Sequence, residues 1–249
     1  MTAAPWWSEA FASGYVDLYP HRDLDSARAE ARFLVSVGLR GRVLDLCCGW
    51  GRHLIALEEL GLEVAGLDYS ADLLARLVTH PEGTHVAGHT VRGDARRAPF
   101  RDATFDGVVS LFSSFGYFGD AGDAQLLAGI ARVLAPGGAA FLDVMNPEFV
   151  RAGLVPESRR EADGAVLVER RSLPGRSVRK EVELWRGAKR LRAWYEEVRL
   201  YEPAELEDRV ASAGLAVEAR WGDFDGSSFG PASPRQLLRL RRAPGAGPR

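Results

Sequence analysis

The order of apolar and polar positions along residues 40–145 predicts strands that alternate with helices. Residues 43–46 form a short, largely apolar run bounded by glycines, which is typical of a buried strand, whereas residues 52–60 repeat their apolar positions at helical spacing. The same patterns predict further strands at 62–68, around 91–92, at 104–112 and at 139–144, and helices at 24–37, 71–79 and 123–134. This alternation predicts an α/β fold with a doubly wound, mainly parallel sheet.

Aromatic residues dominate the segment that precedes this core. Trp7, Phe11, Tyr15 and Tyr19 recur every four residues, so residues 5–20 are predicted to form one helix with an aromatic stripe. Such a stripe either packs the helix on the domain or closes over a ligand as a flap. The sequence leaves both interpretations open.

From residue 146 to residue 202 the pattern changes to antiparallel strands. The stretches at 165–169, 177–185 and 191–200 are rich in β-forming residues, with alternation clearest at 178–184, and turn residues lie between them. The elements predicted after this segment are a helix at 203–211 and strands at 215–221 and 236–240. The chain is thus predicted to comprise N-terminal helices that cap the site (1–38), a cofactor-binding core (39–145), an antiparallel β lid inserted after the fifth strand (146–202), the last helix and strands six and seven (203–241), and a tail (242–249).

Composition and charge narrow the class of protein. The 249 residues are 46% hydrophobic and 27% charged, the balance of an ordinary globular chain, with no visible signal peptide or membrane-length apolar run. A formal net charge of −2 gives no basic surface for nucleic acid. Cys47 and Cys48 are adjacent, which disfavours a structural disulfide. We therefore expect a cytoplasmic protein without nucleic-acid or membrane partners.

A glycine-containing turn joins the first strand to the next helix, with the spacing Asp45-x-Cys47-x-Gly49-x-Gly51. Backbone N–H groups in such a unit approach an anionic or polar ligand at the helix N-terminus. The dinucleotide fingerprint instead spaces its glycines as G-x-G-x-x-G around a pyrophosphate. The acid Asp45 would repel a pyrophosphate and suits a ligand with an ammonium group. A nucleotide-dependent oxidoreductase is thus disfavoured, but it stays open as an alternative.

Two further acids follow predicted strands. Asp68 lies roughly 20 residues after the glycine turn, the position from which an acid accepts hydrogen bonds from a ribose diol. Its alternative role, capping the helix at 71–79, is better filled by Ser70. Asp94, after the third strand, either accepts the exocyclic amine of an adenine or forms a turn.

A cluster of histidines and a run of aromatic residues are further candidate sites. Residues 80–90 are predicted to form a loop that holds His80, His85 and His89. These histidines are spaced like metal ligands, but no nearby cysteine or paired carboxylate completes a tetrahedral set, so solvated loop histidines are predicted and no metal site. Five aromatic residues lie within 105–118. So many are rarely left exposed, which favours a pocket wall over a surface loop.

Four signals in order resemble class I S-adenosylmethionine-dependent methyltransferases: the Asp45–Gly51 turn, Asp68, Asp94 and the Leu134-Ala135-Pro136-Gly137-Gly138 segment before the fifth strand. Cys47 stands where the first motif of that family, (D/E)-x-G-x-G-x-G, has its first glycine. The resemblance implies a Rossmann-like sheet of seven strands, the seventh antiparallel, and S-adenosyl-L-methionine as cofactor. The residues expected to bind this cofactor are Arg22, Asp45, Cys47, Gly49, Gly51, Asp68, Tyr69, Asp94, Ala95 and Leu111.

The methyl acceptor is less well defined. The run Phe112-Ser113-Ser114-Phe115-Gly116-Tyr117 resembles that of sugar N,N-dimethyltransferases from macrolide pathways, which also carry an antiparallel lid. We therefore expect a small-molecule acceptor, methylated on nitrogen or oxygen by in-line displacement. An amine needs no strong base; for a hydroxyl, the candidate catalytic residues are Tyr19, His21 and Tyr117.

Other functions of the same segments stay open. A protein that binds the cofactor without catalysis would carry the same motifs. The antiparallel segment either covers the acceptor, lined by Trp185, Trp194, Tyr195 and Tyr201, or serves as the surface of a homodimer.

Overall fold

The computed structural model describes residues 5–11, 14–19, 23–162 and 164–243. Its helices are α1 (Trp6–Ala10), α2 (Tyr15–Leu18), α3 (Leu24–Ser36), α4 (Arg52–Glu59), α5 (Ala71–Thr79), α6 (Thr84–Ala87), α7 (Gly119–Val133), α8 (Pro147–Gly153) and α9 (Pro203–Ser212), with a 3₁₀ turn at Ala95–Arg97. Its strands are β1 (Arg42–Leu46), β2 (Glu63–Asp68), β3 (Thr90–Arg92), β4 (Phe105–Ser110), β5 (Leu134–Met145), β6 (Glu157–Ala162), β7 (Ala165–Ser172), β8 (Ser177–Arg186), β9 (Lys189–Arg199), β10 (Leu215–Trp221) and β11 (Arg235–Arg242). Within the described ranges, none of the helices combines the length and apolar character required to cross a bilayer.

Seven of these strands form the main sheet, in the order β10-β11-β5-β4-β1-β2-β3. Strands β1 to β5 run parallel, while β11 pairs antiparallel with both β5 and β10. The predicted doubly wound, mainly parallel seven-stranded sheet is confirmed. Because parallel strands end at the same edge of a sheet, the residues that follow β1, β2, β3 and β4 meet there.

Two apolar layers hold the helices on the main sheet. Leu44 and Leu46 of β1 pack in one layer with Leu126 of α7, whereas Val43 packs in the other with Leu34 of α3. All five side chains are essentially inaccessible to solvent. Burying each contributes roughly 1.5–3 kcal/mol, so the alternation along β1 fixes which face of the strand meets each helix layer.

Strands β6 to β9 form a second, antiparallel sheet, in that order, so the predicted antiparallel insertion is confirmed. Its inner face presents Leu167, Val182 and Trp194, which pack against Ala10 and Leu18 of the N-terminal segment. The sequence gives no signal for β6, because Glu157–Ala162 is almost entirely polar and lacks apolar alternation. Helix α8, capped by Asn146, was also not predicted.

The N-terminal segment differs from the prediction. Residues 5–20 do not form one helix, because Gly14 has φ +83° and separates α1 from α2. A left-handed residue is incompatible with a continuous right-handed helix. The aromatic residues of this segment therefore do not form one stripe along a single helix.

Two predicted boundaries are also wrong. Residues 80–90, expected to be a loop, contain the short helix α6. The fifth strand begins at Leu134, before the Pro-Gly-Gly sequence that was expected to precede it. That sequence interrupts the regular pairing with β4, because the register shifts between Phe105 and Gly107.

Candidate active site

A cleft of about 1020 Å³, part of it open to solvent, lies at the carboxyl edge of the parallel strands. The predicted cofactor residues that line it are Asp45, Cys47, Gly49, Asp68, Tyr69, Asp94, Ala95 and Leu111. The candidate catalytic residues Tyr19 and Tyr117 line it as well. His21 and Arg22 lie outside the described residues.

The glycine turn brings main-chain atoms to the floor of the cleft. Cys47, Gly49 and Gly51 all have left-handed backbone angles, with φ +65°, +58° and +78°. The N–H of Cys47 donates to the carbonyl oxygen of Leu67 at 2.8 Å, which fixes the turn on β2. Gly51 lies behind the cleft, where a Cβ would approach the Leu77 side chain to 2.8 Å. Cys47 thus occupies a conformation that favours glycine, which explains why related motifs carry glycine there.

Asp45 ends β1 as a buried carboxyl group with one unsatisfied oxygen. Its side chain is 2% exposed, and its Oδ2 has no hydrogen-bond partner within the described chain. Burial raises its pKa to about 7, the nearby Asp68 carboxylate adds to this, and Arg52 opposes it. A buried acceptor without a donor is costly, and a ligand ammonium would satisfy it. The residue therefore fits the α-ammonium group of S-adenosylmethionine.

Asp68 links the glycine turn to the start of α5. Its Oδ2 accepts from the N–H of Gly49, and its Oδ1 accepts from the N–H of Ser70, both at 2.8 Å. Burial raises the pKa of Asp68, although these backbone hydrogen bonds oppose the shift. A carboxylate has about four lone-pair sites, so acceptor capacity remains for a ribose diol. Ser70 caps α5, because its Oγ accepts from the N–H of Leu73 at 3.2 Å.

Asp94 serves as a turn former and also reaches the cleft. It accepts from the N–H of Arg96 at 2.9 Å, which caps the 3₁₀ turn. The Arg96 guanidinium also forms a bidentate ion pair with it, with a shortest distance of 2.6 Å between Nη2 and Oδ2. This hydrogen bonding from Arg96 holds the pKa of Asp94 below its ordinary value. Asp94 is therefore an ionised acceptor at the wall beside Ala95.

Arg52 and His53, at the start of α4, line the cleft and were not predicted. Glu30 of α3 joins them, at 3.1 Å from Arg52 Nη1 and 2.6 Å from His53 Nε2. Burial and the nearby Arg52 lower the pKa of His53 to about 4. Burial opposes ionisation of Glu30, but the hydrogen bond from His53 and the nearby positive charges together outweigh burial, so the pKa of Glu30 is lowered. Glu30 is thus anionic and binds both the Arg52 guanidinium and the neutral imidazole of His53.

The N-terminal segment, described at residues 5–11 and 14–19, lies over the cleft and is called the N-terminal cover below. Trp7, Phe11, Val16 and Tyr19 line the cleft, and the Phe11 ring stacks on Tyr117 with centroids 5.7 Å apart. Three donors anchor the segment through its main-chain carbonyl groups. Ser70 Oγ donates to Phe11 O at 2.7 Å, Arg160 donates to Leu18 O, and Arg192 donates to Glu9 O. The same residues therefore pack on the domain and roof the site.

The hydroxyl of Tyr19 lies in a polar cluster between this cover and the second sheet. Lys180 Nζ donates to it at 3.0 Å, and the carboxylates of Glu169 and Glu196 each lie 3.3 Å from it. None of Trp185, Trp194, Tyr195 and Tyr201 is among the described residues that line the cleft. The second sheet thus backs the N-terminal cover in the structure, and the cover forms the wall itself.

Two of the histidines of residues 80–89 have separate partners in the structure. The His80 ring packs on Trp50 with centroids 5.1 Å apart, and His85 Nε2 lies 3.1 Å from Glu58. In the part of the chain that the structure describes, no three histidine, cysteine or acidic side chains converge in a geometry for a metal ion.

Comparison with known proteins identifies the class to which this fold and cleft belong. A family profile described as "Methyltransferase domain" matches residues 43–138, the stretch that carries the glycine turn and the three acids. A cypemycin N-terminal methyltransferase from a Streptomyces species is 35% identical over 212 residues, which cover 82% of this chain and 84% of that protein. The chain therefore belongs to the S-adenosylmethionine-dependent methyltransferases. It is an enzyme whose cofactor is S-adenosyl-L-methionine.

Two further comparisons place it within this family. A dTDP-3-amino-3,6-dideoxy-alpha-D-glucopyranose N,N-dimethyltransferase from Streptomyces fradiae is 33% identical over 191 residues, 71% of this chain and 70% of that protein. The solved structure of the CcbJ methyltransferase from Streptomyces caelestis matches with a TM-score of 0.78 and 24% identity, over 95% of this chain and 99% of that one. The first confirms the resemblance to sugar N-methyltransferases, and the second supports the fold.

Proposed function

We propose that the protein transfers a methyl group to an aliphatic amine of a small-molecule or peptide acceptor. Two relatives support nitrogen, because one is named for a peptide N-terminus and the other for an amino sugar. The observation in the cleft that carries the proposal is that His53 is buried and bound through Nε2 to Glu30 at 2.6 Å, with its pKa lowered to about 4. Such an imidazole is a weak base for a hydroxyl, whereas a free amine attacks without one.

The cofactor would lie across the three acids. Asp45 meets its ammonium group, Asp68 its ribose hydroxyls, and Asp94 with Ala95 and Tyr69 its adenine. Leu111 packs against the adenosyl part, while Cys47, Gly49 and Gly51 shape the main chain beneath the methionyl part. We propose Arg22 or the cleft-lining Arg52 as the partner of the carboxylate. Support comes from the unsatisfied Oδ2 of Asp45 and from the position of the other acids on the same cleft.

The acceptor side is formed by aromatic residues. When bound, S-adenosylmethionine supplies a methyl group on a sulfonium, an electrophile that needs no further activation. Tyr19, Tyr117 and Phe112 line this side of the cleft, and the N-terminal cover excludes water. The protein then acts by holding the amine in line with the methyl group. We assign Tyr19 and Tyr117 to this orientation, and His21 would act as a base only for a hydroxyl acceptor.

The remaining parts of the chain fit the same proposal. We propose that residues 1–38 cap the site and that residues 146–202 act as a lid through their support of that cap. Arg170 of the second sheet pairs with Glu157 and Glu183, both at 3.1 Å, which supports a face without affinity for nucleic acid. The free thiols of Cys47 and Cys48 support a reducing, cytoplasmic compartment. We also propose that two copies of the protein form a homodimer through the second sheet.

Matched acceptors test the choice of nitrogen. A peptide with a free N-terminus is compared with its acetylated form, and an amino sugar nucleotide with its hydroxyl counterpart. Release of S-adenosylhomocysteine and a mass gain of one methylene are followed for each pair. We expect transfer only to the member with a free amine. Transfer to a hydroxyl, with the matched amine left unmodified, would overturn the proposal.

A further inference from the structure

The main chain turns sharply where β4 reaches the cleft. Phe112 and Ser113 both have left-handed backbone angles, with φ +56° and +59°, and neither is glycine. Side chains rarely adopt this conformation, because Cβ crowds the backbone. Leu111, Phe112 and Ser114 line the cleft, so the turn forms part of its wall. Such strain persists only where the surrounding structure imposes it.

Asp143 of β5 imposes the conformation from behind the wall. Its Oδ2 accepts from the N–H of Phe112 at 2.7 Å, and its main-chain oxygen accepts from the N–H of Ser113 at 3.1 Å. The side chain is inaccessible to solvent, so this charge-assisted hydrogen bond is shielded from water. Arg235 of β11 donates to the same Oδ2 at 2.7 Å and also lies 3.4 Å from Asp223. The ion pair between β5 and β11 thus holds the N–H of Phe112, while the main chain of β5 holds the N–H of the next residue, Ser113.

The ring of Phe112 is held as firmly as its main chain. The Arg52 guanidinium lies 4.1 Å from the ring centroid, and the Arg235 guanidinium lies 4.6 Å from it. Arg52 is itself bound to Glu30 at 3.1 Å. Two cations on one aromatic ring leave it little freedom to rotate. The ring position is therefore set by the ion pairs of α3, α4, β5 and β11.

We propose that Asp143 and Arg235 are positioning residues for methyl transfer, although neither is among the described residues that line the cleft. They hold the Phe112–Ser113 turn in its left-handed form, and with it the wall against which the methyl donor and the acceptor are aligned. The inference rests on the proposed transfer at this cleft. A misplacement of about 1 Å in such a wall lowers turnover by up to roughly 100-fold without removing a contact to the cofactor.

The test separates alignment from binding. Asp143→Ala is expected to lower kcat by on the order of 10- to 100-fold on whichever acceptor the wild type methylates. The Kd for S-adenosylhomocysteine should stay within about threefold, because the acids that meet the cofactor are intact. Asp143→Asn retains an oxygen that can accept from the Phe112 N–H. Its kcat should therefore fall between that of the wild type and that of Asp143→Ala. In protein without ligand, hydrogen exchange at the Phe112 amide should rise at least about tenfold in Asp143→Ala.

A second substitution tests whether the backbone conformation itself is what Asp143 supplies. Glycine adopts positive φ readily, so adding Ser113→Gly to Asp143→Ala should recover a large part of the lost kcat. Glu218→Ala is the matched control, since it removes ion pairs to Arg239 and Arg241 on the same strand as Arg235 but away from the turn. It should leave kcat unchanged. If Asp143→Ala does not fold, the double variant Asp143→Ala/Arg235→Met avoids an unpaired buried charge and is measured instead.

Three results would overturn the inference. The first is unchanged kcat in a folded Asp143→Ala. The second is a parallel loss of kcat and of S-adenosylhomocysteine affinity, which would assign the pair to the cofactor site as a whole. The third is failure of Ser113→Gly to restore any turnover. All are judged against the wild type with its own acceptor, so a hydroxyl acceptor would refute the choice of nitrogen and leave this test intact.

Discussion

Asp45 illustrates how a single residue can oppose folding and support binding. Its pKa is raised from 3.8 to about 7 by burial, so the folded protein holds a proton that the unfolded chain releases near pH 4. Between about pH 4 and pH 7 the folded state therefore binds more protons, and this group lowers stability as pH rises through that window. The full effect corresponds to roughly 4 kcal/mol. A ligand ammonium would reverse it, because it favours the ionised carboxylate.

The affinity for S-adenosylhomocysteine should consequently depend on pH. Below about pH 7, binding must expel the proton of Asp45, so affinity is expected to rise by up to about tenfold per pH unit and then level off. Calorimetry in two buffers of different ionisation enthalpy counts the protons released. Asp45→Asn should bind more weakly, without the pH dependence, and should be more stable than wild type near pH 8. Flat wild-type affinity between about pH 5.5 and 7.5 would show that Asp45 does not meet the ammonium.

The ribose assignment of Asp68 gives a prediction of simple affinity. Asp68→Ala should weaken S-adenosylhomocysteine binding by on the order of 1–3 kcal/mol, because hydroxyl groups lose a charged acceptor. Glu63→Ala is the control, since it lies at the exposed, opposite end of the same strand. Fluorescence titration and thermal denaturation of both variants separate binding from stability. If a folded Asp68→Ala binds S-adenosylhomocysteine as tightly as the wild type, the role of Asp68 is limited to its hydrogen bonds with Gly49 and Ser70.

Residues of the site differ in how far the sequence reveals them. Asp45, Asp68 and Asp94 lie at or near the carboxyl ends of strands, and the position of a strand end can be read from local pattern. Glu30 and Arg235 come from elements far away in sequence, and nothing local indicates that they meet α4 and the Phe112 turn. The left-handed angles of Phe112 and Ser113 were equally hidden, because tertiary contacts impose them where the residue types do not favour them.

Elements were predictable where one face is buried. The strands and helices of the core carry strong apolar patterns, and their bounds agree with the structure within a few residues. The failures concern α1, α2, α6, α8 and β6, which are short or polar and depend on packing against the rest of the molecule. Spacing alone also misread residues 5–20, because Gly14 breaks a pattern that would otherwise suit one helix.

The N-terminal cover should control how long the cofactor stays bound. Deleting residues 1–19 is expected to leave a folded core but to raise the dissociation rate of S-adenosylhomocysteine and to lower turnover, because the cleft loses its aromatic roof. Arg192→Ala, which removes one anchor of the cover, should show a smaller effect. Arg190→Ala on the same strand, whose side chain bonds to Glu183, should show none. Stopped-flow experiments measure the dissociation rate of S-adenosylhomocysteine for all three variants. An unchanged rate in the deletion variant would show that the segment only packs on the domain.

At the scale of the whole molecule, both sheets contribute to the site, because the N-terminal cover packs between the second sheet and the cleft. The main sheet supplies the acids of the cleft, and the second sheet contributes an apolar inner face on which α1 and α2 rest. The second sheet also binds the loop after β4, because the N–H of Arg199 donates to the carbonyl oxygen of Gly116 at 2.9 Å. The N-terminal cover and the loop after β4 therefore both depend on the second sheet, although none of its described residues lines the cleft.

Replacing residues 157–198 with a Gly/Ser linker should distinguish the roles of the second sheet. Binding of S-adenosylhomocysteine to the core motifs is expected to persist. Methyl transfer to the native acceptor should be lost, because the N-terminal cover no longer has the second sheet to support it. Calorimetry, turnover and light scattering are measured on the same preparation. Full transfer with only a change in oligomeric state would assign the sheet to a dimer interface instead.

The way the cover is fastened has a consequence for how the family can diversify. Ser70, Arg160 and Arg192 hold it by carbonyl oxygens, which every amino acid possesses. The side chains that face the cleft can therefore be exchanged while the attachment is retained. Acceptor preference is thus free to drift by substitutions at Trp7, Phe11 and Val16, with the chemistry of the cofactor site left in place. Laboratory evolution of new acceptors would begin most productively at these three positions.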